Sequence, residues 1–342
     1  VWLIAGITFV MSAVLDNMTT TIIMIMLLRR IIASSSERWI YASVIVIAAN
    51  SGGAWSPIGD VTTIMLWMKG NVTAPKLIMS LVVPCLVSVA IPAALASRMV
   101  RGRIAPAGQA EIQSSRPAFV SSRESVMIFV LGVVLLLAVP VYKTLTGLPP
   151  YMAMVIALGI MWTVTEIMYD KKSGVEEAIE PRVSNVLKHI DMPTILFFLG
   201  ILMAVSALES AGILHSFSEF LDRRVHNVYA IDGLIGLLSS VVDNVPLVAA
   251  SMGMYPVGEA AAAAAGTYEA MFAADGTFWH LLAYCAGVGG SLLIIGSAAG
   301  VVAMGLEKIN FMWYFKHITF SAFLGYVAGI AVYVCEVLLL GF

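Results

Sequence analysis

An apolar run that ought to form one continuous helix is interrupted in its middle by Asn50-Ser51-Gly52-Gly53-Ala54-Trp55-Ser56-Pro57-Ile58-Gly59-Asp60-Val61-Thr62-Thr63. The run from 39 to 68 is otherwise apolar and long enough to cross a bilayer, which takes about 20 residues. Gly52 and Gly53 weaken the helix, Ser56 is a good N-cap, and Pro57 suits the first position of a new helix, where its missing N–H would be unbonded anyway. Unwound backbone inside hydrocarbon is tolerated only where protein buries it or a watery cavity meets it. The fold must therefore enclose this break, and half-helix carbonyls at such a break can replace the hydration shell of a cation. Asp60, one turn past Pro57, adds charge.

The remaining sequence is of the same kind. Hydrophobic residues make up 60% and charged residues 12%, and the mean hydropathy is +0.94; soluble proteins carry about 25% charged residues. An all-α integral membrane protein is expected, with spans at 39–68, 76–98, 124–141, 150–169, 192–208, 278–304 and 313–339. Two shorter apolar segments, 1–28 and 228–255, are each interrupted by an Asp-Asn pair and read as re-entrant hairpins, and the mixed stretch at about 210–226 suits a helix lying in the interface. With 19 basic and 21 acidic residues the net charge is −2, which leaves no surplus to neutralise a phosphate backbone, so nucleic acid is not a partner. Cys85, Cys285 and Cys335 stand alone in apolar runs and read as core. No phosphate loop accompanies them, so an ion gradient rather than ATP supplies the energy.

Lysine and arginine collect on the cytoplasmic side. Arg29, Arg30 and Arg38, then Arg98, Arg101, Arg103, Arg116 and Arg123, then Lys171, Lys172, Arg182 and Lys188, then Lys308 and Lys316, fall on one face and account for fourteen of the 19 basic residues. Lys69, Lys76, Lys143, Arg223 and Arg224 fall on the other, with the acidic loop of Glu259, Glu269 and Asp275.

An internal repeat follows from two matches. VLDNMTTT around Asp16 and Asn17 matches VVDNVPLV around Asp243 and Asn244 at an offset of 227, and Gly52, Gly53 and Gly59 match Gly289, Gly290 and Gly296 at an offset of 237. The extra residues of the second copy lie in the alanine-rich loop 259–266. The charge pattern opens the two hairpins to opposite sides, so the repeat is inverted. The first repeat then covers 1–100, a cytoplasmic linker 101–123, and the second repeat 124–342. The second copy has helices ahead of its hairpin that the first lacks, so the chain reads as entered midway, with roughly 100 further residues expected upstream.

Two interrupted helices in corresponding positions are the strongest sequence pointer to a transport site. The hairpin tips, Asp16-Asn17 with Thr19 and Thr20, and Asp243-Asn244, have residues that cap a helix, and capping is their plain role. Asparagine alone caps nearly as well, however, and an aspartate at membrane depth costs about 2.5–3.5 kcal/mol on insertion scales. Asp16, Asp60 and Asp243 therefore read as ligands or proton carriers, and their oxygen donors suit Na+ or Li+ rather than a soft metal. Glu166, Glu209 and Glu336 read as interfacial or paired carboxylates, and His189, His215, His226, His280 and His317 as ordinary interfacial histidines.

LDNMTTTIIM, ANSGGAWSPIGDVTTIMLW, VVDNVPLVAASMGMY and GGSLLIIGSAAGVVAMG resemble the NhaD type of sodium/proton antiporter, within the ion transporter superfamily. The resemblance implies a secondary transporter, not an enzyme. It would exchange Na+ or Li+ for H+ across a bacterial inner membrane, with no cofactor, as a multi-pass protein in the lipid bilayer and usually a homodimer. It implies two inverted repeats, each with scaffold helices, a re-entrant hairpin and a broken helix. Carried over by motif, the ion-binding set is Asp16, Asn17, Thr19, Thr20, Asn50, Ser51, Asp60, Thr62 and Thr63, with Asp243, Asn244, Ser291 and Ser297 from the second copy; Na+ or Li+ would sit at Asp16, Asn17, Asn50 and Asp60. The counterpart of Asp60 is Ser297, which puts the main site in the first copy. Two alternatives remain: an arsenite or dicarboxylate carrier of the same superfamily, disfavoured by aspartate at both tips, and an intramembrane aspartyl protease, which gives no reason for a repeat.

Overall fold

The computed structural model describes residues 1–32, 34–100, 122–148, 150–170, 192–257 and 267–340. Arg101, Arg103, Arg116, residues 171–191 with His189, and the alanine-rich loop 259–266 with Glu259 lie outside the described residues. The chain forms two compact units, residues 1–109 with 201–342, and residues 110–200. Every regular element among the described residues is a helix, so the protein is all-α.

The first unit begins with a hairpin of α1 (Trp2–Ser12) and α2 (Asn17–Ile31). Asp16 starts α2 by accepting the Thr19 N–H at 2.8 Å on its side-chain oxygen. The break is present, but the new helix does not start at Pro57 with Ser56 as its cap: α3 (Ser35–Ala54) stops after the two glycines, Ser56 Oγ donates instead to the Ala13 carbonyl at 2.5 Å, and α4 (Val61–Lys69) starts only after Asp60, its N-cap, and ends at the left-handed Gly70, φ +83°. α5 (Ala74–Met99) follows. In the second unit α6 (Ser122–Thr146) and α7 (Pro150–Asp170) pack together. Beyond α8 (Met192–Ser210), α9 (Ile213–Arg224) exposes Ile213, Phe217 and Phe220 at helical spacing.

The second hairpin is α10 (Val228–Leu238) and α11 (Asn244–Met254), and the second broken helix is α12 (Thr277–Gly289) and α13 (Ala298–Glu307). The final span differs from expectation. It is not one helix over 313–339 but a short α14 (Phe311–His317) and then α15 (Thr319–Leu340). The junction is held to the break of the second broken helix, because Tyr314 Oη donates to the Ser291 carbonyl at 2.7 Å and Thr319 Oγ1 to the Leu292 carbonyl at 2.8 Å. Among the described residues four helices are, by length and composition, long and apolar enough to cross a membrane: Ala74–Met99, Arg123–Lys143, Tyr151–Met168 and Thr319–Leu339.

α5 stays helical through Pro84 and Pro92 because a neighbour closes over it. Gly325 and Gly329 of α15 lie against it so closely that a Cβ on Gly325 would strike the Ser88 carbonyl and come within 3.0 Å of Pro92, and one on Gly329 would lie 2.8 Å from the Pro84 carbonyl. Small residues four apart that admit a second backbone are the usual means of helix association in lipid.

The offsets read from the sequence reappear as contacts. Ser12 Oγ donates to the Ala49 carbonyl at 2.6 Å, and its counterpart Ser239 donates to the Ala286 carbonyl, the counterpart of Ala49, at 2.7 Å. A Cβ on Gly52 would collide with the Phe9 carbonyl and one on Gly289 with the Gly236 carbonyl, again counterparts. The copies also interlock: α2 packs on α13, and α11 on α4.

Candidate ion-binding site

The two helix breaks meet around Asn50 and Asp60. α3 and α12 cross where Gly287, the counterpart of Asn50, leaves no side chain: a Cβ there would lie 3.0 Å from Ala54 Cβ. Asn50 fills the space from the other side. Its Nδ2 donates to Ser291 Oγ at 2.9 Å and Ser297 Oγ at 2.8 Å, and its Oδ1 accepts from Asn17 Nδ2 at 3.1 Å. One side chain thus joins the first hairpin to both edges of the second break.

Asp60 stands beside this group as the N-cap of α4, and is 2% exposed. Its Oδ1 accepts the Thr62 N–H at 3.1 Å, and its Oδ2 accepts from Asn17 Nδ2 at 3.0 Å and Asn244 Nδ2 at 3.1 Å. Every partner is a neutral N–H donor. The N-terminus of α4 adds the positive end of a helix dipole. Thr63 Oγ1 donates to the Asp60 carbonyl at 2.9 Å and tightens the turn. Two hydroxyls beside these residues, Thr20 Oγ1 and Thr62 Oγ1, are buried without a hydrogen-bond partner.

Of the residues singled out in the sequence, Asn17, Asn50, Asp60, Asn244, Ser291 and Ser297 form one hydrogen-bonded network. Asp16 and Asp243 are only part-buried and turn to their own helix starts, Asp243 accepting the Asn244 N–H at 3.0 Å. Thr19 supplies the N–H that Asp16 accepts. Ser51 sits apart, 3.0 Å from Ser88 Oγ of α5.

Two clusters hold the ends of the broken helices. Glu307 at the end of α13 pairs with Arg29 of α2 at 2.7 Å and Arg38 of α3 at 2.8 Å, and its carbonyl accepts from Trp39 Nε1 at 3.0 Å. This joins segments that the charge pattern assigns to one face. On the other face Asp275 accepts the Thr73 N–H and hydroxyl, lies 3.5 Å from His280 and 3.8 Å from Lys76, and its own N–H bonds the Asn71 carbonyl at 2.8 Å. Burial pushes the Asp275 carboxyl up, but His280 and the two Thr73 hydrogen bonds outweigh it and hold the group below its ordinary range.

Comparison with known proteins fits this architecture. The family model described as CitMHS, citrate transporter, matches residues 1–274. "Sodium/proton antiporter 1" and "Sodium/proton antiporter 2" of Arabidopsis thaliana are each 43% identical over 97% of this chain, which spans 54% of the first relative and 75% of the second. "Na(+)/H(+) antiporter NhaD" of Vibrio cholerae is 31% identical, covering 97% of this chain and 69% of the relative. The chain belongs to the NhaD-type sodium/proton antiporter family. NhaD-type proteins are transporters rather than enzymes, and this member is a multi-pass membrane protein.

Three residues of this NhaD-type chain were not legible as parts of a constellation. Ser88 lies in an ordinary apolar helix, and Glu307 reads as the edge of a loop. Asp232, fully buried in α10, had a signal that went unused: a lone aspartate in the apolar run Val228-Tyr229-Ala230-Ile231-Asp232-Gly233-Leu234-Ile235.

Proposed function

We propose that this chain forms the ion-binding part of a secondary transporter that exchanges Na+ or Li+ for H+ by alternating access. The observation that carries the reading is Asp60, a buried carboxylate at the meeting of both breaks whose partners are all neutral. A bare carboxylate is costly in a low-dielectric barrier, whereas one holding a proton or a monovalent cation is nearly neutral. Both loaded forms cross, and each excludes the other. Binding sodium therefore expels the proton, and the return journey needs the proton back.

The amides of Asn17 and Asn244 can turn over to offer oxygen in place of N–H when a cation arrives. The free hydroxyls of Thr20 and Thr62 extend this to a set of hard donors that fits Na+ or Li+. Asp16, Thr19, Ser51, Thr63 and Asp243 shape the surrounding helix ends. The names of the relatives support sodium and protons as the exchanged ions. We take the two repeats to be inverted, the Arg29 and Arg38 face to be cytoplasmic, and the assembly to be a homodimer. The membrane would be a bacterial inner membrane or a plant membrane that sustains a proton gradient.

The description of the matching family model favours a second reading, a carrier of citrate or a similar anion. A central carboxylate repels an anion, so that reading requires a cation to enter first. The two are separated by reconstituting the full-length protein in vesicles with a pH-sensitive dye and adding Na+, Li+, K+ or citrate, with Asp60→Asn alongside. Proton movement driven by Na+ or Li+ and abolished in Asp60→Asn is the expected result. Citrate uptake without cation-driven proton movement would replace the first reading with the second, and an unchanged Asp60→Asn would remove Asp60 from the site.

A further inference from the structure

The second hairpin buries a carboxylate that the exchange site does not use. Asp232 lies in the middle of α10, is 0% exposed, and neither of its side-chain oxygens has a hydrogen-bond partner. Its counterpart in the first copy is Ala5, so the repeat itself asks for no acid here. The helix is tightly held at this level. Tyr326 Oη of α15 donates to the carbonyl of Gly233 at 2.9 Å, and a Cβ on Gly236 would come within 2.6 Å of the Cys285 carbonyl of α12.

Among the described residues, titratable groups that interact with Asp232 include Cys285 of α12, Tyr326 and Tyr333 of α15, and Tyr255 and Tyr268 beyond the end of α11. None of them carries positive charge. The histidine of α12, His280, is engaged 3.5 Å from Asp275 instead. A charged carboxylate with neither donor nor counter-ion is not sustained in such surroundings. A hard cation takes several ligands, and among the described residues no group of three or more Asp, Glu, His or Cys side chains gathers to hold one. The neutral acid remains.

We propose that Asp232 is a second proton site, protonated in the arrangement seen here, which gives its proton to water when α10 parts from α12. The hairpin that carries it also carries Asn244, the donor to Asp60. A change of occupant at Asp60 shifts α11 and, through the short turn ahead of Asn244, shifts α10 as well. The coupling of Asp232 to sodium rests on the exchange reading above; its protonation does not.

The test has two arms, both on full-length protein in vesicles. Infrared difference spectra at neutral pH should contain the carbonyl band of an acid shielded from water, lost in Asp232→Asn and Asp232→Leu and displaced but retained in Asp232→Glu, with size-exclusion profiles confirming that each variant is folded. Absence of that band from the wild type, or its persistence in Asn and Leu variants, overturns the proposal. In the transport arm, the ratio of protons moved to labelled sodium moved should drop in Asp232→Asn while sodium-for-sodium exchange continues; an unchanged ratio also overturns it. If the exchange reading is what fails, the wild type moves no protons on addition of Na+ or Li+, and the infrared band alone then decides whether Asp232 holds a proton.

Discussion

Asn244 of the second hairpin and Asp60 of the first broken helix lie 184 positions apart in the chain and share a hydrogen bond of 3.1 Å. The same carboxylate oxygen accepts from Asn17, the counterpart of Asn244, at 3.0 Å. Both hairpins thus hold one atom, although Asp60 itself has only a serine as its counterpart. The two copies therefore contribute unequally to one network, with an acid in the first and a hydroxyl in the second.

Removing either amide should weaken sodium binding. Each variant removes an amide oxygen that turns toward the cation in the proposed loaded form, and loss of such a supporting ligand costs about 10–100-fold in metal affinity, so Asn17→Ala and Asn244→Ala should each raise the half-saturating sodium concentration by roughly tenfold or more. Because both act on one oxygen, the double variant should fall short of the product of the single effects. Sodium titrations of dye-loaded vesicles measure all three.

Ser297→Ala leaves one amide hydrogen of Asn50 and the Gly300 N–H without their acceptor. An unsatisfied buried donor costs about 1–3 kcal/mol, so the melting temperature in detergent should drop, and Ser297→Thr, which keeps the hydroxyl, should recover much of it.

Gly329→Leu should destabilise by about 1–3 kcal/mol, the usual range for overpacking, since the new side chain would displace Tyr284 and the Pro84 carbonyl of α5. The melting curve should move while the sodium half-saturation of the surviving protein stays at its wild-type value. A change in sodium affinity instead would show that the contact of α5 with α15 reaches the site.

The Asp275 cluster makes stability depend on acid. Its carboxyl is held below the ordinary range in the folded protein, so its contribution is present above the unfolded value, about 4, and is lost as pH falls through the lower folded value. Melting temperatures of wild type and Asp275→Asn should therefore differ at pH 6 and converge as the pH is lowered below about 4. A difference that persists in acid would show that Asp275 acts through packing alone.

The parts of this molecule that were legible in the sequence are those with local causes. The Asp-Asn turns and the glycine pair ahead of Pro57 each dictate backbone geometry within a few residues, and the hairpin turns and the end of α3 fall where they put them, while the next helix starts at Val61 rather than at Pro57. The repeat was legible because identical turns need identical residues. The partners of Asn50 were not, since Ser291 and Ser297 reach it from more than 240 positions away, and no periodicity reports a crossing of two helices. Ser88 was hidden for the same reason. Glu307 looked like a loop charge because its two arginines come from the other copy. The junction between α14 and α15 was missed because it has neither glycine nor proline; two side-chain bonds to the carbonyls of Ser291 and Leu292 make it.

Asn50 has both amide hydrogens committed to the second break while its oxygen answers to the first hairpin. A hub so fully subscribed cannot release one neighbour and keep the rest in register. If Asp60 holds the ion as proposed, a visitor there would be felt in both halves of the chain, because breaking any one of these bonds strands a buried polar group. On the exchange reading proposed above, such a junction would work as a switch rather than a dial, moving as a whole or not at all.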